Sequence, residues 1–173
     1  MAQIKLPIPP PFEALIERFG RELMRYLLRA AGDREDAADL FQETFLRAYR
    51  AYPRLDHSRD LRPWLYAIAT NLCRNRARNS ARRAAVIVPA HDGADAFGPR
   101  EGAHQGRGSD SADALALHLR RLVARLPDKQ RRALLMRYFA GLEYAEIAGA
   151  LACSEQSARA NVCQAMKKLK AAW

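Results

Sequence analysis

Apolar side chains recur at helical spacing through most of this chain, and no segment shows the alternation that is typical of a β-strand. After a proline-rich start of 11 residues, which we expect to be extended, the first stripe consists of Leu15, Ile16, Phe19, Leu23, Tyr26 and Leu27. The pattern predicts three helices: from Phe12 to a stop at Gly32, from the cap Asp33 to about Ala51, and from about Leu61 to Arg83.

In the C-terminal part, the residues that start and end helices are spaced as in a helix-turn-helix. A helix resumes near Ala112, with a predicted core face of Leu115, Leu119, Leu122, Val123 and Leu126. Pro127 and Asp128 suit the first turn of the next helix, and Gly141 suits its left-handed end. Ser154 is a natural N-cap for the last helix. The predicted buried face of that helix consists of Ala158, Val162, Ala165, Met166 and Leu169.

Between these parts, residues 84–112 hold five of the nine glycines and show no helical period. Such a segment cannot bury enough apolar surface to offset its ordering entropy, so we expect it to be flexible. The sequence therefore predicts an all-α protein of two small helical domains, residues 1–83 and 113–173, joined by a flexible linker over 84–112.

The net charge of +10 is unevenly spread. Residues 1–83 carry 16 basic and 10 acidic side chains, residues 113–173 carry 11 and 5, and residues 84–112 carry 2 and 4. Basic blocks attract polyanions through counterion release. The charge alone is equally expected of a soluble arginine-rich protein that does not bind a polyanion, and this remains the alternative.

Cysteine and histidine usage argues against a metal site or an enzyme. The three cysteines form no CxxC pair, which disfavours zinc and a disulfide framework and favours a reducing cytosol. The four histidines are scattered, without metal spacing or a nucleophile–base pair. No run reaches the length of a signal-peptide core or a membrane span. We expect a cytoplasmic, non-enzymatic protein without cofactor or membrane insertion.

Three exposed patterns could carry binding. The outer face of the last helix, with Gln156, Arg159, Asn161, Gln164 and Lys167, suits phosphates and base edges in the major groove. The alternative is an ordinary helical hairpin with a solvated basic face. The second helix carries an acidic stripe of Asp36, Asp39 and Glu43, which suits a basic partner helix or, alternatively, matches the helix dipole.

The third helix places Asn71, Arg74, Asn75 and Arg78 outward. Arginine with amides and the nearby rings of Tyr49, Tyr52 and Tyr66 would suit a nucleic-acid single strand. The alternative is that Trp64 and these tyrosines belong to the core, and for Trp64 we favour it.

Three blocks in order, DAADLFQETFLRAY, LRPWLYAIATNLCRNRAR and LPDKQRRALLMRYFAGLEYAEIAGALACS, resemble regions 2.2, 2.3–2.4 and 4 of bacterial extracytoplasmic-function (ECF) sigma factors. The resemblance covers roughly residues 12–83 and 113–170. It implies a protein that binds core RNA polymerase and directs it to promoter DNA. It also implies contacts with the polymerase β flap and an anti-sigma factor, and a linker that runs toward the RNA exit path.

By matching position, the resemblance assigns contacts with the β′ clamp helices to Asp39, Gln42 and Glu43. It assigns the capture of a flipped −10 base to the loop from Leu55 to Arg59 and to the start of the third helix. It also implies that the third helix binds the DNA strand around that base. The implied −10 residues are Asp56, His57, Ser58, Arg59, Asn71, Arg74, Asn75 and Arg78. The implied −35 residues are Ser154, Gln156, Ser157, Arg159, Ala160, Asn161, Cys163, Gln164, Lys167 and Lys168.

The last helix departs from the family pattern. It reads SARANVCQAM where members often read something like TVKSRLHRAR. Fewer arginines imply fewer phosphate or guanine contacts. The alternative function is a stand-alone, dimeric helix-turn-helix regulator, which would bind its operator without core polymerase.

Overall fold

The computed structural model describes residues 10–87 and 110–173, and its regular structure within those ranges is helical. The helices are α1 Phe12–Ala31, α2 Arg34–Ala51, α3 Arg62–Ile87, α4 Asp110–Ala124, α5 Asp128–Phe139, α6 Tyr144–Leu151 and α7 Glu155–Ala172, with a 3₁₀ turn over Tyr52–Arg54. The predicted all-α class and the order of the helices are confirmed. None of the described helices is long and apolar enough to cross a membrane.

The predicted helix ends are confirmed by their geometry. Gly32 follows α1 in the left-handed region with φ 79°, where glycine has no steric penalty. The Asp33 carboxylate accepts from the backbone N–H of Asp36 at 2.9 Å at the start of α2. The Ser154 hydroxyl accepts from Ser157 N–H at 3.2 Å at the start of α7.

The core of the N-terminal half lies between α1, α2 and α3. Leu23, Tyr26 and Leu27 are fully buried, and the Tyr26 hydroxyl lies 3.2 Å from Thr70 Oγ1. The predicted α1 stripe is confirmed except at Ile16, which is 37% exposed. Cys73 is buried, and burial raises the pKa of its thiol to about 12, so the thiol stays neutral.

In the C-terminal half, α5, α6 and α7 enclose Leu142 and Ile147, and α7 buries Ala158, Val162 and Ala165 as predicted. The predicted core face of α4 is wrong in its first turns. Leu115 and Leu119 are exposed, whereas Leu122 and Leu126 are buried. α4 packs beside the end of α7, where the rings of His118 and Trp173 lie 6.0 Å apart.

The two halves pack against each other, which the sequence did not predict. α3 lies against α6 and α1 against α5, and one apolar cluster runs from Leu23 to Ile147. Arg29 of α1 lies over the ring of Phe139 of α5 at 5.1 Å. α3 continues to Ile87 and α4 begins at Asp110, so the middle of the predicted linker and its predicted flexibility lie outside the described residues.

Candidate nucleic-acid interface

The acidic surface of α2 is solvent-accessible but already holds arginine partners. Asp39 and Gln42 are exposed and Glu43 is half-buried. Asp39 accepts from Arg76 of α3 at 3.4 Å, and Glu43 accepts from Arg47 at 2.7 Å. Arg76 also pairs with Asp36. Arg76 was missed by sequence reasoning, because no local signal links it to a helix about forty residues earlier.

The loop before α3 is organised by Asp56. Its carboxylate accepts from the hydroxyl of Ser58 at 2.5 Å, from the Ser58 backbone N–H at 3.1 Å and from Arg59 Nε at 3.1 Å. The Ser58 hydrogen bonds, ahead of the Arg59 charge, hold the pKa of Asp56 below its usual value. The ionised carboxylate of Asp56 therefore holds the loop in this conformation through its hydrogen bonds.

His57 points into the protein rather than toward solvent. Its ring lies 4.4 Å from that of Tyr52, and neither ring nitrogen has a hydrogen-bond partner among the described residues. The Tyr52 hydroxyl donates to the carbonyl of Pro10 at 2.8 Å. In this conformation, therefore, the His57 ring nitrogens are not available to a base.

The aromatic rings divide between core and surface. Tyr52 and Tyr66 are buried, so a stacking role for these two rings is wrong for this conformation and the core alternative is confirmed. Trp64 is half-buried and packs on the core, again as the alternative predicts. Tyr49 is 59% exposed and stays accessible.

The polar face of α3 lies open to solvent. Asn71, Arg74, Asn75 and Arg78 are all exposed, as predicted, while Leu65 and Leu72 are buried. This face therefore presents two guanidinium groups and two amides in a row along one helix.

The helix-turn-helix consists of α6 and α7, with Ala152 between them in the left-handed region at φ 51°. Asn161 and Ser157 are half-buried, and the side-chain amide of Asn161 donates to the Ser157 backbone carbonyl at 2.9 Å. Gln164 accepts from Gln130 of α5 at 2.7 Å. The other predicted groove residues are exposed: Ser154, Gln156, Arg159, Ala160, Cys163, Gln164, Lys167 and Lys168.

Arg62, the first residue of α3, joins the two halves. It donates to Glu22 of α1 at 2.9 Å, to the Ala140 carbonyl at 2.5 Å and to Glu146 of α6 at 3.3 Å. Burial alone would lower the pKa of Arg62, but Glu146 and Glu22 outweigh it and the pKa is raised, so the guanidinium stays charged. Sequence reasoning missed this residue because its partners come from distant segments.

Two family models match the chain in this order: Sigma-70 region 2 over residues 15–83 and Sigma-70, region 4 over residues 117–169. The ECF RNA polymerase sigma factor SigC of Mycobacterium tuberculosis is 31% identical over 159 residues, which cover 92% of this chain and 81% of that protein. The chain belongs to the ECF sigma factors. Sigma factors are transcription initiation factors, so this one directs RNA polymerase to promoters.

Two further relatives match almost end to end. The sigma factor is 27% identical to RNA polymerase sigma-H factor of Pseudomonas aeruginosa, over 91% of this chain and 83% of that protein. It is also 27% identical to SigM of Bacillus subtilis, over 92% of this chain and 93% of that protein. Matches to both regions confirm the predicted family, and they disfavour a stand-alone regulator, because the region 2 half has no place in one.

Solved structures confirm the fold of the sigma factor. CnrH in complex with the cytosolic domain of CnrY superposes with a TM-score of 0.68 at 22% identity, over 92% of this chain and 85% of that one. RpoE in complex with the anti-sigma factor NepR from Bartonella quintana superposes with a TM-score of 0.69 at 19% identity. The match covers 92% of this chain and 94% of that one.

Proposed function

We propose that this sigma factor works through three surfaces, one for polymerase and two for promoter DNA. The docking surface is Asp39, Gln42 and Glu43 on α2. The strand surface is the 55–59 loop with Asn71, Arg74, Asn75 and Arg78. The groove surface is the outer face of α7. The observation that carries the proposal is the geometry of α7, whose buried alanines and valine fix which side chains face outward.

The docking surface suits the β′ clamp helices of core polymerase. An acidic partner-binding face needs a basic counterpart, and Asp39 and Glu43 already hold arginines in the free protein. Those pairs are largely exposed, and exposed pairs are each worth only about 0–1 kcal/mol. A basic helix can therefore replace Arg76 and Arg47 at small cost.

The strand surface suits the melted −10 element. The arginines of α3 can hold phosphates, and its asparagines can meet base edges. Flipping a base costs a few kcal/mol, so the pocket must supply contacts. Because His57 faces inward, the loop must rearrange before His57 meets a base, whereas Arg59 is exposed and needs no such step.

The groove surface suits the −35 element in the major groove. Ser154 at the helix start lies where a phosphate is favoured by free N–H groups and the helix dipole. Arg159 and Gln164 can reach base edges, while Lys167 and Lys168 lie later in the helix and suit phosphate. Asn161 bonds its own helix backbone, so its contribution to readout is smaller than the sequence suggests.

The wider assignments follow from the family. Residues 1–83 form the polymerase and −10 domain, residues 113–173 form the −35 domain, and residues 84–112 run toward the RNA exit path. The C-terminal domain meets the β flap. An anti-sigma factor is a further partner, because the similar sigma factor RpoE was solved in complex with the anti-sigma factor NepR. The protein acts in the cytoplasm, with no cofactor and no chemistry of its own.

A pull-down with core polymerase tests the docking surface. The double variant Asp39→Lys, Glu43→Lys should lose most of its affinity, because it presents cations to a basic helix. The matched control is Glu17→Lys, a charge reversal at an exposed α1 position with no assigned role. Equal retention of both variants would refute the docking assignment, provided that their thermal melts match that of the wild type.

A further inference from the structure

The ring of Tyr144, the first residue of α6, lies near two guanidinium groups. Arg159 Cζ of α7 is 4.6 Å from the ring centroid, and Arg137 Cζ of α5 is 5.0 Å from it. Both distances are within the range in which a cation is attracted to an aromatic ring. Three helices of the C-terminal half therefore meet at one aromatic side chain.

The position of Tyr144 is fixed by its surroundings. Glu143 caps α6, its backbone N–H donates to Glu146 Oε2 at 2.6 Å, and the reciprocal bond completes a capping box. Arg137 donates to the Leu142 carbonyl at 2.9 Å and to Glu143 at 2.8 Å. Tyr144 is half-buried and packs against the apolar core. The ring is thus a rigid platform.

Arg159, by contrast, is a long side chain with little else to hold it. Its side chain is 63% exposed and forms an ion pair with Glu155 of the same helix at 3.2 Å. A free arginine loses substantial rotamer entropy when it is fixed in an interface. Contact with the ring removes part of that freedom before DNA arrives.

We infer that Tyr144 is a positioning residue for sequence readout by Arg159. This inference rests on the proposed −35 role of α7. A guanidinium stacks by its flat face, so its edge N–H groups stay able to donate to O6 and N7 of a guanine. By limiting where the guanidinium can go, the ring selects which base position Arg159 reads as well as how tightly it binds.

The test uses holoenzyme of the full-length chain with core polymerase, and a double-stranded promoter library randomised across the −35 element. In Tyr144→Leu, the preference at the base read by Arg159 should relax, and affinity for the selected −35 sequence should fall about two- to fivefold. Affinity for a scrambled −35 sequence should not change. Tyr144→Phe should behave as wild type, because the ring is kept.

Two further variants separate positioning from a general structural effect. Tyr138→Leu removes a ring that is 60% exposed on α5 and should leave the selected motif unchanged. In an Arg159→Ala background, Tyr144→Leu should cause no further change, because the two residues act through one contact.

The outcomes also distinguish this inference from the function on which it rests. If Arg159→Ala selects the wild-type motif, the proposed −35 role of Arg159 is wrong and the positioning role falls with it. If Arg159→Ala relaxes the motif but Tyr144→Leu does not, the −35 role stands and the positioning role of Tyr144 is refuted.

Discussion

Arg62 and Glu146 form an ion pair across the two halves of the molecule, with Arg62 Nη1 3.3 Å from Glu146 Oε1. The same guanidinium bonds Glu22 of α1, so one residue at the start of α3 connects the helix-turn-helix to the N-terminal core. Pro63 packs beside Gly149 of α6, where an added Cβ would lie 3.5 Å from the proline Cβ. The structure is therefore a closed form.

The closed form cannot place both proposed DNA-binding surfaces on one promoter. Elements centred near −10 and −35 are about 25 base pairs apart, or roughly 85 Å along the helix axis. In this structure α6 touches α3 directly, and the 18 residues of α7 span only about 27 Å. The halves must separate when the sigma factor engages both elements.

We expect the double variant Glu22→Gln, Glu146→Gln to open the free protein. Glutamine keeps the capping box of α6 but removes both charges that hold Arg62. Small-angle X-ray scattering should show a larger radius of gyration than for the wild type. The control Glu17→Gln, exposed on α1, should scatter as wild type does. An unchanged radius in the double variant would show that the apolar contacts alone keep the halves together.

Limited proteolysis checks the linker and the closed form together. We expect the first cut within residues 88–109, because the glycine-rich composition predicts an accessible segment. Since α3 packs on α6 and α1 on α5, the two fragments should elute together from a sizing column. Fragments of the charge-neutralised double variant should separate more readily. Early cuts inside α3 or α5 would contradict the domain boundaries.

A pair of leucine variants tests the assignment of core and surface. Leu65 is fully buried, so Leu65→Ala should lower the free energy of unfolding by about 2–5 kcal/mol. Leu115 is 52% exposed, and Leu115→Ala should stay within about 0.5 kcal/mol of wild type. Denaturant titrations followed by circular dichroism give both numbers. A large loss of unfolding free energy in Leu115→Ala would show that Leu115 is buried, as the sequence predicts for the core face of α4.

Salt dependence separates phosphate contacts from base contacts in α7. Lys167→Ala or Lys168→Ala should weaken promoter binding similarly on all −35 sequences and reduce the salt slope by about one counterion. Arg159→Ala should instead change the preferred sequence at one −35 position. Binding by holoenzyme at several salt concentrations provides the measurement. If Lys167→Ala weakens binding only to certain −35 sequences, Lys167 contacts a base, and the base-reading region extends further along the helix than proposed.

Local features were the most predictable from sequence. Gly32, Asp33 and Ser154 mark helix ends through their own backbone and side-chain chemistry, and all three occupy the predicted positions. The outward row from Asn71 to Arg78 follows from helical period alone. The predicted core face of α4 is wrong at Leu115, which is exposed. Helical spacing predicts which side of a helix is apolar, but it does not predict whether another helix covers that side.

Contacts between distant segments were not predictable. The Arg62 pairs, the Arg76 pairs and the Tyr144 ring contacts each join residues from different helices, and their strength depends on how the helices pack. Burial of Tyr66 has the same origin, because it depends on tertiary packing that its helical period does not specify. The family resemblance predicts the binding surfaces, which stay a prediction, but it does not predict this closed packing.

Run-off transcription with purified core polymerase tests the central claim most directly. Wild-type protein plus core should give discrete transcripts from a subset of promoters, and neither component alone should bind or transcribe them. The Asp39→Lys, Glu43→Lys variant should give none, while Glu17→Lys should match wild type. Specific promoter binding by the free protein at the same sites, unaffected by core polymerase and by the Asp39 and Glu43 reversals, would contradict the account.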